Sequence, residues 1–238
     1  MNVLCYYYLI GDYANYQKIF FDWYNNFKLN FCTEQKITYF LVTDNDSLMD
    51  NIHSDDIIIR KCDPVSNITD AKSFKFKYLK DNLDLISKYD YIHYSNSNLR
   101  CGKKISFNDL IFDNKKFTAI THPYFGTRNN FLKLNYGLNI GSSIEIQEDT
   151  KTFKYFQAGN WIGTSEEVIK LTEFIENKRC LDFNNNIILR WNDETYYNYY
   201  LNVVNKNNFN ILDGSIWLSP DRIRNMYTVS KKIYFRQM

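Results

Sequence analysis

Residues 3–10, VLCYYYLI, decide the fold together with the helical pattern that follows them. These eight residues form a continuous apolar and aromatic run of strand length. Apolar side chains then recur with the 3.6-residue period of a helix, at Tyr16, Ile19, Phe20, Trp23, Tyr24 and Phe27. The stretch therefore predicts a buried strand followed by a helix with one core-facing side.

The same alternation continues over the first hundred residues. Further strands are predicted at residues 37–42, 57–59 and 91–94, and a helix with an apolar side precedes the last of them. Alternating strands and helices build a largely parallel sheet covered by helices, and ligands of such sheets lie beyond the carboxyl ends of the strands. Asn96-Ser97-Asn98 follows one of these predicted strand ends.

The second half of the chain is less regular. Strand-like stretches are predicted at residues 117–120, 143–146 and 153–156. Thr164-Ser165-Glu166-Glu167 has the spacing of a capping box and predicts a helix, and Asn192 is placed to cap a helix starting at Asp193. No linker is visible, so we expect one domain over residues 1–238.

Composition excludes several classes of protein. The 238 residues carry 29 Lys and Arg against 27 Asp and Glu, and a net charge of +2 argues against a nucleic-acid or membrane binder driven by charge. The longest apolar run near the N-terminus is far shorter than the roughly 20 residues that a transmembrane helix needs. Five widely spaced cysteines without a CxxC motif indicate neither a disulfide framework nor a zinc cluster, so a cytoplasmic protein is expected.

Common catalytic motifs are absent from the sequence. It contains no GxGxxG after a strand, Walker A, GxSxG, HExxH or EF-hand loop, so dehydrogenase, NTPase and hydrolase functions lose support. What remains is a series of polar and aromatic clusters at residues 8–13, 96–98, 122–123, 155–159, 191–194 and 218–220.

The order and spacing of these clusters resemble family 6 of the retaining glycosyltransferases, which includes the ABO blood-group transferases, the α1,3-galactosyltransferases and their bacterial and phage relatives. Trp191-Asn192-Asp193-Glu194 matches the family's Trp-His-Asp-Glu, and Leu218-Ser219-Pro220 matches its Leu-Ser-Pro at the expected interval. The resemblance runs from about Tyr8 to Asn225 and is denser from His122 onward.

The resemblance implies a GT-A fold, an α/β fold with a Rossmann-like mixed sheet flanked by helices. Residues 1–98 would form the nucleotide-binding half, and residues 99–238 the acceptor-binding and catalytic half with a basic C-terminal tail. The implied activity is transfer of GalNAc or galactose from UDP-GalNAc or UDP-Gal to a galactose-terminated glycan, such as a fucosylated galactoside, with retention of the α configuration. The protein would be cytoplasmic, or peripheral to a membrane if its acceptor is lipid-linked.

Glu194 is the predicted catalytic residue. A retaining transfer needs a group on the face of the anomeric carbon opposite the leaving group, and a carboxylate can attack there or stabilise positive charge. By the resemblance, Asp193 contacts hydroxyls of the transferred sugar. The alternative is that both acids merely suit the first turn of a helix, where the helix dipole favours them.

The remaining donor contacts follow from the resemblance. Tyr8, Ile10 and Tyr13 lie where relatives hold the uracil and ribose, although Tyr8 and Ile10 also suit a core strand. Asn96 and Asn98 stand where most GT-A enzymes carry Asp-x-Asp for Mn²⁺, as in a branch with Asn-x-Asn that works without metal. We therefore expect no metal and no cofactor.

Without a metal, fixed basic groups must meet the charge that develops on UDP. The resemblance points to a C-terminal tail that orders over the diphosphate, with Lys231, Lys232 and Arg236 as candidates. A solvated basic tail is the alternative. Lys75 approximately matches an arginine that relatives aim at the donor sugar.

Two further groups concern the choice of sugars. Residues 155–159 align with the segment that discriminates galactose from GalNAc, with Gln157, Ala158 and Gly159 as the donor-binding residues. Gly159 favours GalNAc. On the acceptor side, His122 matches a binding histidine and Trp191 could stack on a galactose. Asn192 and Asn225 replace a histidine and an aspartate of the family.

Two other functions remain open from the sequence. The neutral residues Asn96, Asn98 and Asn192 suggest a catalytically lapsed module that binds glycans or nucleotides, although Asp193 and Glu194 are retained. The protein could also be a related transferase that uses another donor or a manganese ion bound elsewhere.

Overall fold

The computed structural model describes residues 1–11, 15–64, 68–96, 99–122, 141–145, 153–189, 192–206, 208–214 and 235–237. Within this part the chain is α/β, with a seven-stranded mixed sheet flanked by helices. This confirms the predicted fold class at the level of a mixed sheet with helices, an arrangement compatible with a Rossmann-like fold.

The described elements match most of the sequence predictions. The strands are β1 (Asn2–Leu9), β2 (Lys36–Thr43), β3 (Ile57–Lys61), β4 (Tyr91–Ser95), β5 (Leu99–Cys101), β6 (Phe117–Thr121), β7 (Phe156–Thr164), β8 (Asn210–Leu212) and β9 (Phe235–Gln237). The helices are α1 (Tyr16–Asn30), α2 (Asp46–Asp50), α3 (Ile68–Lys80), α4 (Leu83–Ile86), α5 (Phe107–Leu110), α6 (Ser165–Asn184) and α7 (Asn192–Tyr199). A π-helical turn, Tyr200–Val204, continues α7.

The strand order is β3-β2-β1-β4-β7-β6-β8. Strands β1 to β4 run parallel, whereas β7 runs antiparallel to both β4 and β6. The order reverses between β1 and β4, which makes their carboxyl ends the expected ligand side of the sheet. Because β7 runs the other way, its first residues lie at this same side, which we call the carboxyl edge.

The two faces of the sheet bury different sets of side chains. Alternate residues of β1 divide between them, with Leu4 and Tyr6 on one face and Cys5 and Tyr7 on the other. Helices α3, α6 and α7 cover the first face, and α1 covers the second. The predicted side of α1 is confirmed by its buried residues, which are Phe20, Trp23, Tyr24 and Phe27.

Two predicted strands are wrong. Residues 143–145 form a turn, where Glu145 N–H donates to Ser142 O. The predicted strand at residues 153–156 begins only at Phe156 and continues to Thr164 as β7. The strand from Phe156 to Thr164 was not predicted because it contains Gly159 and Gly163, and glycine within a run is typical of a break in regular structure.

Strand β7 is irregular where it passes the carboxyl edge. On its β6 side, Ala119 pairs with Trp161 and Thr121 pairs with Phe156, so two steps along β6 correspond to five along β7. Residues 157–160 stand between these two pairs against a single residue of β6, so β7 has three extra residues here. They form a bulge, and bulges often redirect side chains next to functional sites. This bulge contains the segment that the sequence linked to sugar choice.

The helix starts behave largely as predicted. The Thr164 side chain accepts from Glu167 N–H at 3.4 Å and caps α6. Helix α7 begins at Asn192, one residue before the predicted start. No described helix has the length and apolarity needed to cross a membrane.

Candidate functional site

Glu194 lies in the first turn of α7, against the start of β7. Its Oε2 accepts from the Tyr155 hydroxyl at 3.0 Å, and its Oε1 accepts from Ala158 N–H at 3.1 Å. Burial raises the pKa of this carboxyl to about 7, and the charge of Asp193 acts in the same direction. The two hydrogen bonds and nearby Lys75 oppose that rise. Glu194 is therefore a held carboxylate that titrates near neutral pH.

A buried ion pair lies beside Glu194. Lys75 Nζ is 2.5 Å from Asp193 Oδ2 and donates to Ala158 O at 2.9 Å. Lys75 is only 3% exposed, and its ammonium lies 5.0 Å from the centre of the Tyr94 ring. Two of the residues linked to the donor sugar are thus joined directly, and they tie α3, α7 and β7 together.

Asn96 joins the same region from the end of β4. Its N–H donates to Gly159 O at 2.8 Å, and its Oδ1 accepts from the Tyr94 hydroxyl at 2.9 Å. The structure thus brings Asn96 next to the bulge of β7. Asn98 lies outside the described residues.

Gln157 is the most unusual polar group of the bulge. It is 2% exposed, and neither its amide oxygen nor its amide nitrogen has a hydrogen-bond partner within the described part of the chain. A buried amide in this state costs free energy unless a water or a bound molecule pairs with it. Gln157 therefore offers two unused hydrogen-bonding atoms.

The residues assigned to the nucleotide differ in their surroundings. Ile10 is 4% exposed and packs in the core formed with α3 and α7, as the core-strand alternative predicts. Tyr8 is half-buried, its ring centre lies 5.7 Å from that of Tyr78, and its buried hydroxyl has no hydrogen-bond partner in the described ranges. Tyr13 lies outside the described residues, so contact with uracil stays a prediction.

His122 approaches the site through Tyr155. Its N–H donates to Tyr155 O at 2.7 Å, and the two ring centres are 5.6 Å apart. Burial lowers the pKa of His122 to about 4, so its imidazole is neutral at pH 7. Since Tyr155 bonds Glu194, the proposed acceptor residue and the proposed catalytic residue share one neighbour.

The remaining predicted site residues cannot be placed by their side chains. Tyr13, Asn98, Trp191, Asn225, Lys231 and Lys232 lie outside the described residues, as do the side chains of Asn192 and Arg236. The backbone of β9 nevertheless pairs with β5, with Arg236 opposite Arg100. Because β5 begins three residues after Asn96, this C-terminal strand lies beside the chain that leaves the carboxyl edge.

Two residues that hold the site together, Tyr155 and Asn198, were not predicted from the sequence to have an individual role. Tyr155 donates to Glu194, and Asn198 binds both backbone groups of Phe156, with N–H to Oδ1 and Nδ2 to O distances of 2.7 Å. The signal for Asn198 was its place four residues after Glu194, on the same side of a helix. Nothing in the sequence around Tyr155 marked its hydroxyl.

No three His, Cys, Asp or Glu side chains of the described ranges are grouped so that they could hold a metal ion. Comparison with protein-family models and a search of curated proteins find no match for this chain. The fold, the site and the resemblance of the motifs are therefore the basis for a functional assignment.

Proposed function

We propose that this protein is a retaining glycosyltransferase that moves GalNAc or galactose from its UDP conjugate to the 3-hydroxyl of a galactose-terminated glycan, without a metal ion. The observation that carries the proposal is the carboxylate of Glu194. It is held by two donors at the carboxyl edge, beside the buried pair of Lys75 and Asp193.

Position 194 is a poor place for a carboxylate on structural grounds alone. Burial raises its pKa to about 7, which means that the ionised form is disfavoured there. The carboxylate cannot donate to Ala158 O, so Lys75 has to do so. The preference for acids in the first turn of a helix does not account for a half-buried carboxylate held by two hydrogen bonds, whereas a chemical role does.

The chemistry assigned to these residues is a displacement at the anomeric carbon. The bond from this carbon to the UDP oxygen breaks, and UDP leaves with the electron pair. The ionised Glu194 either stabilises positive charge on the opposite face or forms a bond to the anomeric carbon; that bond then breaks as the acceptor attacks, and its electron pair returns to Glu194. The acceptor 3-hydroxyl forms the new bond to the anomeric carbon, and its proton passes to the departing phosphate oxygen. Asp193, fixed by Lys75, contacts hydroxyls of the transferred sugar.

The charge on the departing UDP has to be met by fixed groups. The backbone N–H of Asn96 bonds Gly159 O at the carboxyl edge, and the Asn96 side chain is a neutral amide. Basic residues of the C-terminal tail, Lys231, Lys232 and Arg236, are proposed to supply positive charge. The pairing of β9 with β5 supports a tail that returns to this edge.

The bulge of β7 supports the assignment of the sugar pocket. Ala158 and Gly159 are small, and Gln157 carries two hydrogen-bonding atoms that have no partner among the residues described. An N-acetyl group needs both space and a polar partner for its amide. These features favour UDP-GalNAc as the donor.

The first test measures UDP release from UDP-GalNAc and from UDP-Gal in excess EDTA, with and without 2′-fucosyllactose or lactose. We expect turnover that resists the chelator and increases with acceptor. Turnover only after Mn²⁺ is added would refute the metal-free mechanism. Tight UDP binding without turnover under any condition would favour the lapsed module.

The second test asks whether Glu194 carries the reaction. We expect Glu194→Gln to lower turnover by about 10² to 10⁴-fold. The control is Glu167→Gln, because Glu167 is also a first-turn acid shielded from water, but it lies at the start of α6, at the opposite end of the strands. Equal activity of the two folded variants would overturn the role of Glu194.

A further inference from the structure

A stripe of three polar side chains joins α7 to the chain that leads into β7. Glu194, Asn198 and Asn202 lie four residues apart on one side of the helix and its π-helical turn. They bond Ala158, Phe156 and Lys154, which lie two residues apart. Four residues of helix rise about 6 Å and two residues of extended chain about 6.6 Å, so the two repeats match.

Both asparagines make the same set of bonds. Asn198 accepts from Phe156 N–H and donates to Phe156 O, each at 2.7 Å. Asn202 accepts from Lys154 N–H at 3.0 Å and donates to Lys154 O at 2.9 Å. The second hydrogen of each amide bonds the helix carbonyl four residues earlier, at 2.8 and 2.9 Å. Each asparagine side chain therefore pairs with both the N–H and the C=O of one residue, as a neighbouring strand would.

At the third position of the stripe, two residues together make the pair of backbone bonds that one asparagine makes at the other positions. Glu194 accepts from Ala158 N–H, while Lys75 donates to Ala158 O. An asparagine or glutamine at this position could supply both bonds alone. The stripe thus continues up to the carboxylate and ends there.

We propose that Asn198 is a positioning residue for Glu194, and that its pairing with Phe156 sets the register of α7 along the chain leading into β7. Its importance for catalysis rests on the proposed function. Asn198 is 1% exposed, so water cannot readily replace its bonds. Tyr155 lies between the residues paired to Asn198 and Asn202, so the reach of its hydroxyl to Glu194 depends on the same register.

The test uses Asn198→Ala with Asn210→Ala as its matched control. Asn210 is also a buried asparagine that donates to a backbone carbonyl, that of Phe112 at 2.8 Å, but it lies at the start of β8, toward the opposite edge of the sheet. Should Asn198→Ala fail to fold, Asn198→Asp is the second variant, because it keeps the acceptor for Phe156 N–H. Two readouts are measured on each folded variant.

The first readout is amide hydrogen exchange at Ala158, which does not depend on any activity. We expect exchange to be about tenfold faster or more in the Asn198 variant and unchanged in the Asn210 control. Unchanged exchange at Ala158 in the Asn198 variant overturns the proposal, whatever the enzyme does.

The second readout is transfer from UDP-GalNAc. We expect kcat to fall by about 10 to 100-fold, because a misplacement on the order of 1 Å has such an effect, while the donor KM changes less than about threefold. A change confined to KM, or equal to that of the control, overturns the proposal. Faster exchange in a protein whose wild type transfers no sugar would uphold the positioning role and refute the proposed function.

Discussion

At the scale of single residues, Glu194 is held in a form that the folded protein disfavours. Its carboxyl is half-buried next to the charge of Asp193, and Asp193 in turn forms an ion pair with Lys75. Groups with shifted pKa values and specific partners are concentrated at functional sites. The cost of keeping this carboxylate has a measurable consequence for stability.

Glu194→Gln is expected to be more stable than wild type above pH 7. The folded pKa is about 7 and the unfolded value is near 4.3, so wild type loses stability as pH rises through this window. Glutamine does not titrate and can donate to Ala158 O. Urea unfolding at pH 5 and pH 8 should show a gain of about 1–2 kcal/mol at pH 8 and a smaller one at pH 5.

A variant whose advantage over wild type is the same at both pH values would contradict this account. It would mean that the Glu194 carboxyl titrates alike in the folded and unfolded chains. The loss of turnover in the same variant is a separate measurement, so stability and activity are expected to move in opposite directions.

At the scale of elements, β7 connects the site to the core of the sheet. Trp161 in this strand packs on Tyr94 and Phe117, with ring centres 5.4 and 6.0 Å away. Gly163 lies under the Phe117 ring, and a Cβ added there would clash with Phe117 Cδ2. The glycine is needed for close approach and does not interrupt the strand.

Gly163→Ala is therefore expected to destabilise the protein by about 1–3 kcal/mol, since Phe117 is buried and has to move. Chemical denaturation measures the loss. Phe117→Leu combined with Gly163→Ala should recover part of it, because the smaller side chain leaves room. A Gly163→Ala variant as stable as wild type would show that the strand can shift away from β6.

Some elements of the fold could be predicted from the sequence and others could not. Strands β1 to β4 were predictable because each contains a short apolar run, and helix α1 because burial of one side leaves a 3.6-residue period of apolar side chains. Strand β7 was not, because its glycines serve packing and a bulge. The bonds of Asn198 to Phe156 and of Tyr155 to Glu194 join distant segments, and hydrogen bonds of this kind have no period in the sequence.

At the scale of the whole molecule, a histidine is buried on the α1 face of the sheet. His93 is 1% exposed, lies with its ring centre 4.2 Å from that of Phe31, and makes a 2.9 Å hydrogen bond from Nε2 to Asn160 Oδ1. Burial lowers the pKa of His93 to about 3. The folded chain therefore keeps this imidazole neutral well below the pH at which the unfolded chain protonates it.

Acid should destabilise the protein through His93. The unfolded state takes up the proton near pH 6.5 and the folded state near pH 3, so stability falls as pH decreases between these values, by up to about 1.4 kcal/mol per pH unit. Unfolding of wild type and His93→Gln between pH 6.5 and 4 checks this. The variant should lose less stability on acidification, and His53→Gln, at an exposed position, is the control.

Equal pH dependence of wild type and His93→Gln would show that His93 takes up its proton at the same pH in the folded and unfolded states.

The topology of the whole sheet was only partly predictable from the sequence. A parallel sheet with its ligand side at the strand ends follows from the alternation of strands and helices. The opposite direction of β7, and hence its place at the carboxyl edge, depends on long-range packing.

Under the proposed function, the bonding of the chain that enters β7 to α7 limits how a new sugar preference could arise. Lys154, Phe156 and Ala158 bond through their backbone to side chains of α7 and its π-helical turn. One residue inserted between them would turn the backbone groups on one side of the insertion away from their partners. Lengthening the segment would thus dismantle the support of Glu194. On this side of the site, a new preference could arise through substitutions at Gln157, Ala158 and Gly159. Loop insertions, by which many enzymes change their substrates, would disrupt the site here.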